Sequence, residues 1–318
     1  MKRSACLIFN PVAGQGDPEL ELAQIRSILE PEIDLDIYLT PKEVGADQHA
    51  AAAVKRGVDA IIASGGDGTL SAAATAVIGS NIPFGIISRG TANAFANALE
   101  IPDTIAGACE VILQGKTRTV DAADCNGSPM VLLTGIGFEA ETVERADRDA
   151  KNRFGMMAYV LAGLQELRNL ETFDVEIESE DKIIKTSAVA VTVANAAPPT
   201  SILAQGPAGI IVDDGLLDMT IVAPATKAAA IASAFHLFQT ASNGNAAERD
   251  DIGYLRAKQF KITTNPPQKI VIDGEIAEMT PIEIRCIPGG MQIFVPTVEE
   301  VELVEKLEGL PNLVIEEK

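Results

Sequence analysis

The sequence has no tryptophan, and aromatic residues make up only 4% of its 318 positions. Stacking platforms for single-stranded nucleic acid are therefore not expected. Positive charge is scarce too: 25 Lys and Arg stand against 45 Asp and Glu, a formal net charge of −20. Neutralising nucleic-acid phosphates takes a basic surface, so nucleic acid is excluded as a general partner. A polybasic grip on anionic lipid is excluded on the same ground. The four cysteines, Cys6, Cys109, Cys125 and Cys286, form no C-x-x-C pair. That argues against a zinc site or a disulfide frame and for reduced thiols in a cytoplasmic protein. The two histidines, His49 and His236, read as packing residues. No run of about 18 apolar residues is free of charge or proline, so no spanning helix is expected. The apolar run after Lys2-Arg3 stops at Asn10-Pro11, too short for a signal peptide. Membrane contact is expected to be peripheral at most.

What is present is an ordinary globular composition, 47% hydrophobic and 22% charged. The length predicts about two domains. The first third alternates strands and helices: strand 5–9, a helix opened by Asp17-Pro18, a strand around Leu35–Leu39, helix 43–56 and strand 58–63. Helix 70–78, strand 83–88 and helices 92–99 and 103–114 continue it. Such alternation predicts a parallel sheet with helices on both faces. After about residue 120 the pattern turns to β. Strands are expected at 117–122, 130–134, 173–178, 183–193, 208–212, 216–222, 259–264, 268–273 and 281–286. Helices are expected near 139–148, 152–168 and 226–240. This predicts an α/β domain over 1–125 and a mainly antiparallel β domain over 126–295. The acidic tail, with seven Glu against two Lys over 296–318, reads as a solvated helix face.

The chemistry is expected in glycine-rich turns. Ser64-Gly65-Gly66-Asp67-Gly68-Thr69 lies between a strand and a helix. Consecutive glycines let main-chain N–H groups close on a phosphate, and the helix N-terminus adds its dipole. Asp67 inside such a nest makes sense if Mg²⁺ lies between it and the phosphates. A tight βα turn with a capping Asp is the plainer alternative. Asn10-Pro11-Val12-Ala13-Gly14, Thr40 and Gly90-Thr91-Ala92-Asn93 fall at the ends of other strands. In a parallel sheet these ends share one edge, where ligands bind.

Taken together these motifs resemble the diacylglycerol kinase catalytic domain, and more narrowly bacterial lipid kinases of the diacylglycerol kinase/YegS type. Gly135-Ile136-Gly137-Phe138-Glu139-Ala140, Asp214-Gly215-Leu216-Leu217-Asp218 and Ile272-Asp273-Gly274-Glu275 extend the resemblance over about residues 5–295. The resemblance implies an NAD kinase-like α/β domain binding ATP and a C-terminal β-sandwich serving a lipid alcohol, with 296–318 returning to the first domain. It places the nucleotide site on Asn10, Pro11, Gly14, Thr40, Gly65, Gly66, Asp67, Gly68, Thr69, Thr91 and Asn93. It places the catalytic carboxylates on Asp273 and Glu275, either of which can be the base. A structural Mg²⁺ would take the carbonyls of Ile211 and Leu216 and the carboxylate of Asp214. Asp121 matches an Asp assigned to a water and Mg²⁺ network. A homodimer is compatible with the resemblance.

Some positions depart from the family pattern. Ala13 and Gln15 stand where a Ser and a basic residue are usual, and Ala94 stands where many diacylglycerol kinases carry Asp. Asn195-Ala196-Ala197-Pro198-Pro199 lacks the usual glycines on what is expected to be the acceptor side. The apolar stretch 154–161 fits core, with contact to an acyl chain as the other reading. No G-K-[ST] follows a glycine-rich loop, so phosphate charge must be met without a Walker lysine. The expected function is an ATP- and Mg²⁺-dependent lipid kinase. A soluble-acceptor kinase of the NAD kinase type and a non-catalytic lipid- or nucleotide-binding protein are the alternatives. A dehydrogenase is the weakest reading, since no G-x-G-x-x-G follows the first strand.

Overall fold

The computed structural model describes residues 2–40, 45–138, 172–202, 204, 209–243, 248–296 and 314–317. The expected helices over 139–148 and 152–168, residues Glu139 and Ala140, and the stretch 154–161 lie outside the described residues. The chain divides into two compact units, Met1–Ala122 with Pro288–Glu300 and Ala123–Ile287 with Val301–Lys318.

The first unit is an α/β layer. Strands β1 (Arg3–Phe9), β2 (Ile33–Leu39), β3 (Ala60–Gly65) and β4 (Phe84–Ser88) pair in parallel in the order β4-β3-β1-β2. β3 and β4 are buried at every position, as central parallel strands covered on both faces must be. Helix α1 (Pro18–Leu29) starts on Asp17, whose side chain accepts from Glu19 N and Leu20 N, with proline at the first position. Helix α2 (Ala46–Arg56) stops at Gly57 in the left-handed region. Helix α3 (Asp67–Thr75) begins inside the glycine-rich turn, three residues earlier than the pattern predicts. Helices α4 (Ala94–Ala98) and α5 (Ile105–Gln114) follow β4.

The second unit is a β-sandwich. β7 (Leu133–Gly137), β10 (Ala190–Ala194), β11 (Leu217–Val222), β12 (Ile252–Ala257), β14 (Lys269–Ile272) and β15 (Glu275–Met279) form one antiparallel sheet, ordered β12-β11-β10-β7-β14-β15. β8 (Phe173–Glu178), β9 (Lys182–Ala188), β13 (Gln259–Asn265) and the first part of β16 (Ile282–Phe294) form the other. β8 and β13 alternate buried and exposed residues. Their inner faces meet those of the first sheet in one apolar core with Ile136, Val191, Met219, Leu255, Phe260 and Ile284. The helix α6 (Lys227–Asn243) follows β11. The chain passes between the units within β5 (Thr117–Cys125), which is followed by β6 (Ser128–Met130), and again within β16.

Several expectations need correction. The single strand expected over 183–193 is two: β9 pairs β8, while β10 pairs β7 and β11 in the other sheet. The 209–212 segment is not a strand. β12 and β15 were not anticipated. The described end of the tail is a strand: β17 (Val314–Glu317) pairs antiparallel with β9. Its Val-Ile pair suits an edge strand better than a helix face. Burial pushes the thiols of Cys6, Cys109 and Cys125 up to about 11, 12 and 12. Such thiols are inert packing groups. Among the described residues no helix is long and apolar enough to cross a membrane.

Candidate active site

In the first unit the strand order changes direction between β1 and β3, because the chain leaves β1 for β2 on one side and returns to β3 on the other. Parallel register aligns Leu39, Phe9, Ser64 and Ile87 across the sheet. Every predicted turn therefore opens at the same carboxyl edge, with the β1 and β3 loops flanking the switch point, where α/β sheets bind ligands.

The two loops are tied together. Asn10 Nδ2 donates to Thr69 Oγ1 at 2.8 Å, and Asn10 N donates to Ser64 O at 2.9 Å. Asn10 Oδ1 also accepts from Val12 N, shaping its own turn. Thr40 N donates to Phe9 O, which places Thr40 beside the same edge. Gly65 is buried, while Pro11, Gly66 and Thr69 are half-buried and Gly14, Gly68 and Thr91 are exposed. Asn93 adopts φ 49°, and its Oδ1 accepts from Gly90 N at 2.8 Å. This closes the β4 turn so that Gly90 lies against Gly66.

That approach requires glycine at one of the two positions. A Cβ on Gly90 would lie 2.9 Å from the Gly66 Cα, whereas a Cβ on Gly66 would meet the Gly90 Cα at 3.6 Å, ordinary contact. Gly90→Ala should therefore destabilise the protein by about 1–3 kcal/mol, as overpacking does. Gly66→Ala should melt near the parent temperature. Equal melting curves for the two variants would refute the close approach.

Asp67 is the first residue of α3. Burial raises its pKa, while main-chain N–H groups of Phe95, Ala94 and Asn93 pull the other way. Phe95 N reaches Asp67 Oδ1 at 3.4 Å. Ala94 thus serves Asp67 through its main chain. Asp121, 2% exposed, accepts from Gly289 N at 2.7 Å.

Sequence reasoning missed Arg89 and Glu21. Arg89 is the residue after β4, and its side chain is 2% exposed. Its Nε donates to Glu21 Oε2 at 2.7 Å, and its two terminal nitrogens donate to Asn10 O at 2.8 Å and Ala13 O at 3.0 Å. The guanidinium also stacks 4.2 Å over the Phe9 ring. Gly14, at φ 84°, passes over Arg89 so closely that a Cβ would stand 2.9 Å from Arg89 O. One buried cation thus moulds the whole Asn10–Gly14 loop. A charged residue ending an apolar strand just before Gly-Thr was the available signal.

The second unit holds the late carboxylates. Asp273 and Gly274 have φ 48° and 85°. Left-handed geometry at both central residues is that of a tight hairpin turn joining β14 to β15, in which Ile272 faces Glu275. The Asp273 carboxylate accepts from Val131 N, Leu132 N and Leu133 N at 2.9, 2.9 and 3.0 Å. Asp273 N returns a bond to Leu133 O. Asn195 braces the same loop through Val131 O and Leu132 O. Glu275, the first residue of β15, is exposed. The turn therefore sends the two acids to different tasks: Asp273 clamps a loop, and Glu275 is presented outward.

Of the groups expected to hold a structural Mg²⁺, the Asp214 carboxylate has protein partners. Asp214 Oδ1 accepts from Leu216 N at 3.0 Å, and Asp214 Oδ2 pairs with the Arg256 guanidinium. Arg256 Nε also bonds Asp218 Oδ1 at 3.0 Å. The Arg256 guanidinium thus stands against the one carboxylate, Asp214, that the resemblance assigns to the cation. Among the described residues no group of three His, Cys, Asp or Glu could hold a metal ion.

Burial lifts the Asp218 carboxyl to about 7; Arg256 pulls it down, and Asp214 adds to the rise. The folded protein then holds this proton more tightly than the unfolded chain, whose carboxyl has the ordinary value of 3.8. This contribution to stability is present at low pH and is lost as pH rises from about 4 to about 7. Thermal melts across that window should show a falling component that Asp218→Asn removes. An unchanged slope in the variant would show that Asp218 is ionised throughout.

Comparison with known proteins agrees with this geometry. The diacylglycerol kinase catalytic domain model matches residues 4–125, and the YegS C-terminal NAD kinase beta sandwich-like domain matches residues 133–295. The chain belongs to the diacylglycerol kinase family. It is 48% identical over 301 residues to an uncharacterized protein of Synechocystis sp., covering 91% of this chain and 70% of that one. It is 28% identical over 309 residues to the diacylglycerol kinase of Bacillus subtilis, covering 95% and 99% of the two chains. The crystal structure of a diacylglycerol kinase from Bacillus anthracis str. Sterne superposes with TM-score 0.73 at 25% identity, over 92% of this chain and 97% of that one. A further structure from that organism gives TM-score 0.77 at 28% identity over the same shares. Family membership makes the protein a kinase, and the dehydrogenase and non-catalytic readings give way to it.

Proposed function

We propose that the protein is an ATP- and Mg²⁺-dependent lipid kinase, transferring the γ-phosphate of ATP to the hydroxyl of a lipid alcohol such as diacylglycerol. The observation that carries this reading is the lysine-free main-chain cradle at the β1/β3 switch point, with Asp67 half-buried at the start of α3. Backbone N–H groups and the α3 dipole meet phosphate charge there. Asp67 would repel phosphate on its own. A single carboxylate beside phosphate oxygens and water is a donor set that suits Mg²⁺. Mg²⁺ bound there would offset the negative charge of the transferring group. Asn10, Thr69, Gly66, Gly68 and Gly90 shape the cradle; Thr40, Thr91, Pro11, Gly14, Gly65 and Asn93 complete the nucleotide side.

On the acceptor side, Glu275 takes the proton of the lipid hydroxyl, and Asp273 fixes the turn that presents it. An exposed carboxylate can reach a substrate, while most of the acceptor capacity of Asp273 is taken by the N–H groups of Val131, Leu132 and Leu133. The relatives named diacylglycerol kinase support a lipid acceptor. The protein would work in the cytoplasm and meet the membrane from its surface.

The test is to incubate purified protein with γ-labelled ATP, Mg²⁺ and a mixed lipid extract, then count the organic phase. Label there, abolished by Glu275→Gln, supports the reading and lets mass spectrometry name the acceptor. Label confined to a water-soluble product would replace the lipid by a nucleotide-like acceptor.

A further inference from the structure

Helix α6 (Lys227–Asn243) is two-sided. Ala230, Leu237 and Ala241 are buried against the second unit. On the opposite side Ile231, Phe235 and Phe238 are 55%, 68% and 44% exposed. Their spacing of four and three residues puts them in one stripe along the helix. Ala228 and Ala232 are exposed beside them, and no Asp, Glu, Lys or Arg occurs from Ala228 to Asn243. Single exposed apolar residues are ordinary on a surface, but Ile231 and Phe235, one turn apart on an uncharged helix face, form a patch suited to an apolar partner. This chain has only ten Phe and no Trp.

We infer that this face of α6 lies in the surface of a lipid bilayer and brings the enzyme to its substrate. The inference rests on the lipid-kinase reading, because acyl chains keep such a substrate in a membrane. Charge narrows the means of contact. A net charge of −20 repels anionic headgroups, so attachment must come from buried apolar area. The α6 stripe can enter the interface without taking a charged side chain out of water. A second copy of the chain is the weaker occupant. A helix of 17 residues is about 25 Å long and about 10 Å across. One face of it offers roughly 250 Å², against the roughly 800 Å² per partner that a stable interface takes.

The absence of native tryptophan makes the test clean. In Phe235→Trp the full chain carries one indole, seated in the stripe. Its emission should shift to the blue on adding phosphatidylcholine vesicles and keep that shift in high salt. Ile231→Ser combined with Phe235→Ser should weaken vesicle flotation at least about tenfold, since each buried apolar side chain contributes roughly that factor. The same double variant should keep its melting temperature and its rate on a short-chain lipid alcohol dispersed below its aggregation threshold. Three results would overturn the inference: emission unchanged by vesicles, emission already blue without them because the chain covers its own stripe, or a dimer in sedimentation that the serines dissolve. Indole insertion with no label in any lipid would support this face and sink the kinase reading. Labelled lipid with a vesicle-blind indole would do the reverse.

Discussion

Glu275→Gln should lower kcat by about 10²–10⁴-fold, the usual worth of a positioned general base, and should leave the melting curve unchanged. The two halves of this result come from one feature. Glu275 opens β15, a strand exposed at all its positions, so the fold does not depend on its charge. Gln keeps its size and loses the ability to take a proton. Asp273→Asn makes the informative contrast. An amide has one acceptor oxygen where Asp273 offers two, and its NH₂ would face main-chain N–H groups already aimed at it. That variant should lose about 1–3 kcal/mol of stability from the unpaired donors and fall in activity as well. Chemical denaturation and steady-state kinetics on the two variants separate the roles. If Asp273→Asn melts normally while Glu275→Gln keeps its rate, Asp273 is the base and the assignment is reversed.

How much of this could be read from the chain depends on how local each signal is. The glycine-rich turns were legible because a tight turn and a close main-chain approach leave their mark in consecutive residues: Gly65 to Thr69, and Gly90 to Asn93. The order of strands and helices in the first unit was legible from periodicity for the same reason. Arg89 was not. Its partners Glu21, Asn10 and Ala13 lie 68, 79 and 76 residues away, and only folding brings them to one guanidinium. Asp273 is legible as a candidate carboxylate, but the loop it binds is not, since that loop lies about 140 residues upstream. The break between β9 and β10 has no local mark either, because β-branched residues run through both halves with no Gly or Pro between them. Only pairing partners in different sheets separate them. β15 escaped notice because Glu275-Ile276-Ala277-Glu278-Met279 is exposed throughout; the Asp273-Gly274 turn, not burial, makes it a strand.

Arg89→Met should cost about 3–5 kcal/mol, the range for removing one member of a buried ion pair. Methionine fills much of the same volume against Phe9, so the loss measures unmet polar groups more than a cavity. Glu21 would keep its charge with 23% of its side chain exposed, and the carbonyls of Asn10 and Ala13 would lose their donors. Arg89→Lys should recover little. Three acceptors lie in three directions around a planar fork, and an ammonium reaches them only one at a time. Glu21→Gln should be milder, because its carboxylate already meets water. The kinetic signature follows from what Arg89 holds. The Asn10–Gly14 loop flanks the switch point without carrying a group that exchanges protons, so loosening it should raise the KM for ATP more than it lowers kcat. Urea titration and ATP-dependent kinetics at a temperature where the variant is folded test both statements. A variant that unfolds with the parent, or one whose KM for ATP is unmoved, would mean that the loop holds its shape without the buried cation.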